Sequence, residues 1–262
     1  MLRCVYTDLD GTLLGRGASL FHDADGNFTL LPARALEACF RAGIEVVIKS
    51  GRREAQVAED ARLIGQTAYI YEVGSGLVID GERMLLTGDL QPHDGKSIHD
   101  LIEESGAPRL LLERFAGRLE YHEPWHLNRE ISHLMRGTVD AGEANALLAD
   151  NGLDHLRLVD NGAIAPRPHF DSRPHAFHLI PAEASKASAV AAHMRARGYA
   201  PEECIAVGDS AEDLDVARVV GRFFLVANAD AGPSGPNVTR TEGRNGEGFY
   251  EAVMQSLVTD RA

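Results

Sequence analysis

Asp8-Leu9-Asp10-Gly11-Thr12 sets two carboxylates two residues apart, directly after Arg3 to Thr7, which reads as a buried strand. Given ordinary residue usage, these four fixed letters occur by chance in about one chain in a few hundred. Residues two apart near a strand end point to one side. In an open parallel sheet, ligands bind beyond the carboxyl ends of the strands. Gly11 lets the chain turn away closely. A second acidic set, Gly208-Asp209-Ser210-Ala211-Glu212-Asp213, follows the run 204–207. Asp209 and Asp213 are four apart and share one helix face. Alone, that set reads as a helix cap. Joined to the first, it makes an oxygen-rich cage of the kind magnesium takes, with few carboxylates and retained waters.

Two further groups suit a phosphate. Ser50-Gly51-Arg52 follows the run 44–48, so a hydroxyl and backbone N–H groups can meet phosphate oxygens at a helix N-terminus. Lys186 opens a helical pattern. Taken singly, Ser50 reads as an N-cap and Lys186 as surface. A carboxylate attacking a phosphate dianion meets repulsion of roughly 4 kcal/mol per unit pair at 4 Å and an effective dielectric near 20, so about 8 kcal/mol in all. That is worth several powers of ten in rate. Lys186 alone cannot offset it; Lys186 with a divalent cation can.

The elements that must hold these groups alternate. Strands are expected at 3–7, 44–48 and 68–71, with helices from Pro32 to about Ala42 and over 53–64. The last third alternates in the same way, with a helix at 185–197, a strand at 204–207, a helix at 210–219, a strand at 223–227, a loop over 228–248 and a short helix over about 248–258. Such alternation argues for a doubly wound parallel α/β sheet. The middle reads as an α+β insert, with strands at 109–113, 118–122, 131–136, 155–159 and 176–180, helices at 95–105 and 141–150, and a hairpin turn at Asp160-Asn161-Gly162. The expected division is a core of 1–87 with 181–262, and an insert of 88–180.

Taken in order, D-L-D-G-T, Ser50 in K-S-G-R, Lys186 in A-S-K-A and G-D-S-A-E-D resemble the haloacid dehalogenase superfamily of phosphohydrolases. The position and length of the insert resemble the type II (C2) cap of the Cof-like, sucrose-phosphate and mannosyl-3-phosphoglycerate phosphatases. The resemblance implies Asp8 as nucleophile and metal ligand. It implies Asp10 as general acid and then base, its carbonyl also on the metal. Asp209 would ligate Mg2+, Asp213 would support that shell, and Ser50, Gly51 and Lys186 would hold the phosphoryl group. Relatives often carry Asn where this chain has Glu212, whose role stays open. Chemically, covalent catalysis splits one hard step into two, and one carboxyl serves both.

Other signals compete. Asp23-Ala24-Asp25-Gly26-Asn27 begins like a calcium loop but ends on Arg34 where Glu should close it, and reads as a hairpin tip. His122-Glu123-Pro124-Trp125-His126 spells H-E-x-x-H, but Pro124 and the preceding strand pattern exclude the helix that zinc proteases need. Tyr121, His122, Trp125 and Arg129 read either as a loop lining a substrate cleft or as a surface turn with Trp125 packed inward. Gly74 and Ser75, after the third strand, fall where relatives place a small-residue loop near substrate.

The chain has 262 residues and a formal charge of -13, a field that repels nucleic acid and anionic membranes. Cys4, Cys39 and Cys204 are single and unspaced for metal, as in a reducing compartment. With no leader pattern and no run near ~20 apolar residues, a cytoplasmic place is expected. The expected activity is hydrolysis of a small phosphate ester, a sugar phosphate by analogy with the subgroup. Two rivals stay open: a phosphosugar mutase and a non-catalytic phosphometabolite-binding protein. Substrate and oligomeric state are not written in the sequence.

Overall fold

A computed structural model describes residues 1–230 and 232–259. The core opens with β1 (Cys4–Thr7), buried at every position, then α1 (Leu31–Arg41), β2 (Glu45–Lys49), α2 (Glu54–Leu63) and β3 (Ala68–Tyr71). Pro32 sits in the first turn of α1, where its missing N–H costs nothing. Two hairpin strands follow, β4 (Gly76–Ile79) and β5 (Glu82–Leu85).

The insert comprises α3 (Ile98–Glu104), α4 (Ala107–Arg114), β6 (Leu119–Tyr121), β7 (His133–Gly137), α5 (Ala141–Asp150), β8 (Leu156–Ala163) and β9 (His175–Pro181). The core resumes with α6 (Lys186–Arg197), β10 (Cys204–Gly208), α7 (Ala211–Leu214), β11 (Arg222–Leu225), β12 (Val238–Arg240) and α8 (Asn245–Thr259). Ser185 and Ser188 form the reciprocal cap that starts α6, and Gly198 ends it in the left-handed region.

The large sheet runs β12-β11-β10-β1-β2-β3-β4-β5, parallel from β12 to β3 and antiparallel beyond. Alternation along β1 divides the core. Val5 packs with Leu36 and Cys39 of α1 and Phe249 and Val253 of α8. Cys4 and Tyr6 face Ala189, Val190 and Met194 of α6. Each fully buried large side chain contributes about 1.5–3 kcal/mol. The smaller sheet, β6-β7-β9-β8, is antiparallel. The fold is thus a doubly wound α/β sheet with an inserted α+β cap.

Chain passes between core and insert at two adjacent crossings. A Cβ placed on Gly88 would meet the Glu183 carboxylate at 2.3–2.5 Å. Val73 and Ala184 of the core pack with Val159 and Ile180 of the insert. None of the described helices is long and apolar enough to cross a membrane.

Three expectations are corrected. Residues 109–113 are helical, inside α4, because Pro108 starts a helix and its apolar run faces the core on one side only. Asp160-Asn161-Gly162 is no hairpin tip: it is an irregularity within β8, where pairing with β9 slips between Asp160 and Ala163. The segment 228–248 holds β12 and the start of α8.

Candidate active site

The ends of β1 and β10 bring the two acidic motifs together. Asp8 N–H donates to Val207 O at 3.1 Å, extending the β1–β10 ladder by one bond. Leu13 N–H then donates back to Asp8 O, folding the chain away. Asp8, Asp209 and Asp213 each offer an oxygen within 4.8 Å of the others. Gly11 permits this approach. Its φ is +88°, and a Cβ there would lie 2.2 Å from Asp209 Oδ2. Thr12 Oγ1 donates to Asp209 Oδ1 at 3.2 Å.

Two buried lysines face the acids. Lys186 Nζ bridges Asp8 Oδ1 and Asp213 Oδ1, 2.8 Å from each. Lys49 Nζ reaches Asp213 Oδ1 at 2.5 Å and Val207 O at 3.1 Å. Burial would raise Asp213, but Lys186 and Lys49 outweigh it and hold the acid below the usual carboxylate range. Burial pulls Lys49 below the ordinary lysine range, with Asp213 opposing. Asp8 is pushed up to about 6 by burial, against the pull of Lys186. Asp209 rises well above its usual value through burial and the charges of Asp8 and Asp213. Once a bound cation draws off the Asp8 and Asp209 protons, three carboxylates against two ammonium groups leave one negative charge for it to offset. The donor set is all oxygen, so the site fits a hard divalent cation.

Asp10 faces outward, its side chain 56% exposed. Arg52 clasps its carboxylate through Nε at 2.8 Å and Nη2 at 2.6 Å, and Asp60 holds the same guanidinium at 2.8 Å. Ser50 is buried and its Oγ accepts from Arg52 N–H at 3.2 Å. It is not an N-cap, because α2 starts only at Glu54 with Arg53 as its cap residue. Gly51 lies under the insert. A Cβ on it would meet Asn161 Nδ2 at 2.7 Å and His178 Nε2 at 2.8 Å.

Gly74 has φ +86°, and a Cβ there would strike Ser185 O at 2.1 Å, at the residue before Lys186. Its neighbours Glu72 and Val73 also have positive φ, 45° and 59°. Positive φ is costly for Glu72 and for the β-branched Val73, though not for Gly74, and the turn brings this loop against the start of α6. Ser75 is fully buried beside it, its Oγ without a hydrogen-bond partner.

Of the insert candidates, Arg129 reaches the core, donating to Gly51 O at 3.0 Å and to Ser132 Oγ at 3.1 Å. Ser132 gives its hydroxyl to Glu72 Oε2 at 2.7 Å. Its oxygen can then only accept from His178 Nδ1 at 3.2 Å, which leaves His178 Nε2 bearing a lone pair toward Gly51. Burial, then Arg129 and Lys186, hold His178 well below its usual value, so it is neutral. His122 closes the end of β6 through Leu134 O, and Trp125 is 54% exposed, not packed inward. Glu212 gains a role: Arg157 of β8 binds it at 3.1 Å, and it accepts Lys186 N–H at 3.3 Å. Asp23 spends Oδ1 on the N–H groups of Asp25 and Asn27, as a hairpin tip does. A cavity of about 340 Å³ opens on Asp209, between Gly11, Asn228 and Asn245 of the core and Gly162, Arg173 and His175 of the insert.

Sequence reasoning missed Lys49 and Arg52 as functional residues. The signal for Lys49 was a lysine closing the apolar run IEVVI, a charge that must be buried with a partner.

Residues 161–232 match the family model of the haloacid dehalogenase-like hydrolases. A curated phosphoglycolate phosphatase of Methanoculleus marisnigri is 27% identical, over 97% of each chain. One from Archaeoglobus fulgidus is 28% identical over 96% of each. Among solved structures, the sucrose-phosphatase of Synechocystis, in complex with sucrose and phosphate, aligns with a TM-score of 0.68 at 15% identity, over 98% of each chain. A haloacid dehalogenase-like hydrolase of Bacteroides thetaiotaomicron aligns at 0.61 and 15% identity, over 97% of this chain and 99% of that one.

Proposed function

We propose that this chain, a haloacid dehalogenase-like phosphatase with a C2 cap, hydrolyses a small phosphomonoester through an aspartyl-phosphate on Asp8, with magnesium. The observation that carries this reading is Lys186 bridging Asp8 and Asp213 beside Asp209, at the carboxyl edge of the sheet. Residues 1–87 and 181–262 act as the catalytic core, and 88–180 as the cap over the cavity. Phosphoglycolate is the first substrate to test, because relatives spanning nearly the whole chain carry that name. A sugar phosphate is the second.

The Asp8 carboxylate attacks phosphorus, and the bond from phosphorus to the leaving oxygen breaks. Asp10, released from Arg52, gives that oxygen its proton. Water then attacks the phosphoaspartate, Asp10 takes the proton, and inorganic phosphate leaves with Asp8 restored. Lys186 holds Asp8 in place and offsets charge throughout, with Lys49 keeping Asp213 ionised. Asp8, Asp209 and Asp213 would hold the magnesium ion, which when bound neutralises the negative charge of the phosphoryl group. The cap excludes water. The working place is a reducing cytoplasm.

The test is phosphate release from phosphoglycolate and a panel of sugar phosphates, for the natural chain and Asp8→Asn, with magnesium and with chelator. Release by the natural chain, lost in Asp8→Asn and in chelator, is expected. Turnover surviving in Asp8→Asn would sink the mechanism, and turnover unaffected by chelator would sink the metal.

A further inference from the structure

A second group of ligating side chains lies at the other end of β1. Cys4 is the first residue of that strand, Glu45 is its register partner on β2, and His193 comes from α6. Asp8 is four residues further along, about 13 Å away at strand rise. One ligand atom from each of Cys4, Glu45 and His193 lies within 4.8 Å of the others.

His193 supplies an independent observation. It is fully buried, and its Nε2 has no hydrogen-bond partner. Nδ1 is already taken by the Tyr6 hydroxyl at 2.8 Å. Nε2 stands 3.6 Å from Glu45 Oε1. That is too long for a hydrogen bond. It is close to the edge of a tetrahedron around zinc, about 3.4 Å for bonds near 2.0–2.1 Å. A buried polar atom without a partner is costly, so the gap between nitrogen and carboxylate calls for a cation.

Charge and access agree. Glu45 Oε1 also accepts from Arg197 at 2.9 Å, but Asp80 pairs with Arg197 at 2.6 Å and cancels its charge. Burial, then the neighbouring Cys204 and Glu45, hold the Cys4 thiol well above its usual value, so it ionises only as the ion displaces its proton; Glu45 and that thiolate then match the two charges of the ion. The Glu45 side chain is 16% exposed and gives the ion a way in. Thiolate, imidazole and carboxylate together are a zinc-type set, unlike the all-oxygen set at Asp8.

We propose that Cys4, Glu45 and His193 bind one zinc-class divalent cation, with solvent in the fourth position. Binding expels the Cys4 proton to solvent. The ion would tie β1 and β2 to α6, the helix whose first residue is Lys186.

Cobalt(II) separates the two sites, since oxygen ligands give no thiolate-to-cobalt absorption. Chelator-treated full chain, kept reduced, is titrated with cobalt(II). One equivalent should produce a near-ultraviolet thiolate band that zinc abolishes. Cys39→Ser should keep the band, while Cys4→Ser and His193→Gln should lose it. Absence of the band in the natural chain overturns the proposal whatever the variants do. So does a band persisting in Cys4→Ser, which would assign the ion to another thiol.

Discussion

Replacing Lys49 by Met removes one of the two cations on Asp213 without emptying its space. Lys49 is fully buried, and its ammonium group donates to Asp213 Oδ1 and Val207 O. Breaking a buried pair costs about 3–5 kcal/mol, because the surviving charge is stranded. Lys186 still reaches Asp213, so about 3 kcal/mol is expected. For a chain of this size that is a fall of roughly 6–12 °C in Tm. The assay is unfolding in urea and by heat, in chelator, across pH. The sign follows from the depressed Asp213 acid. Its stabilisation is present above the unfolded value, about 3.9, and lost as pH falls through the folded value. The deficit of Lys49→Met is therefore largest above about pH 5 and shrinks on acidification. A loss under about 1 kcal/mol, or a deficit growing toward acid, would refute the pairing argument.

Three other outcomes follow from the geometry. Asp10→Asn should lower kcat by about 10²–10⁴ with little change in KM, as steady-state kinetics would report. Gly11→Ala, whose Cβ would meet Asp209 Oδ2 at 2.2 Å, should weaken magnesium binding more than about tenfold by titration calorimetry. Arg157→Met and Glu212→Gln should be non-additive by about 1 kcal/mol in a double-mutant cycle of unfolding; additivity would mean the pair does not couple cap to core.

The acidic motifs were legible because each follows a short strand that reads as buried, where position and chemistry reinforce each other. Periodicity and Gly or Pro punctuation placed β1, α1, β2, α2, β3 and α6 within a residue or two. The run at 109–113 is ambiguous because LLL fits a strand or a helix equally, and Pro108 in the first helical turn decides for the helix. Asp160-Asn161-Gly162 carries a hairpin spelling, yet the same left-handed glycine serves a bulge. Glu212 was unreadable because its partner, Arg157, is 55 residues away. Cys4, Glu45 and His193 show no metal spacing along the chain and meet only through the register of β1 with β2 and the packing of α6.

The side-by-side crossings at Gly88 and Glu183 make the insert a cassette. Its entry and exit meet at one seam, so evolution or an engineer can swap or trim that module without rerouting the sheet beneath. On the proposed function, bond-breaking machinery and molecular taste would then be inherited separately: a new insert would retune what is admitted, while the carboxylates and lysines below keep their places.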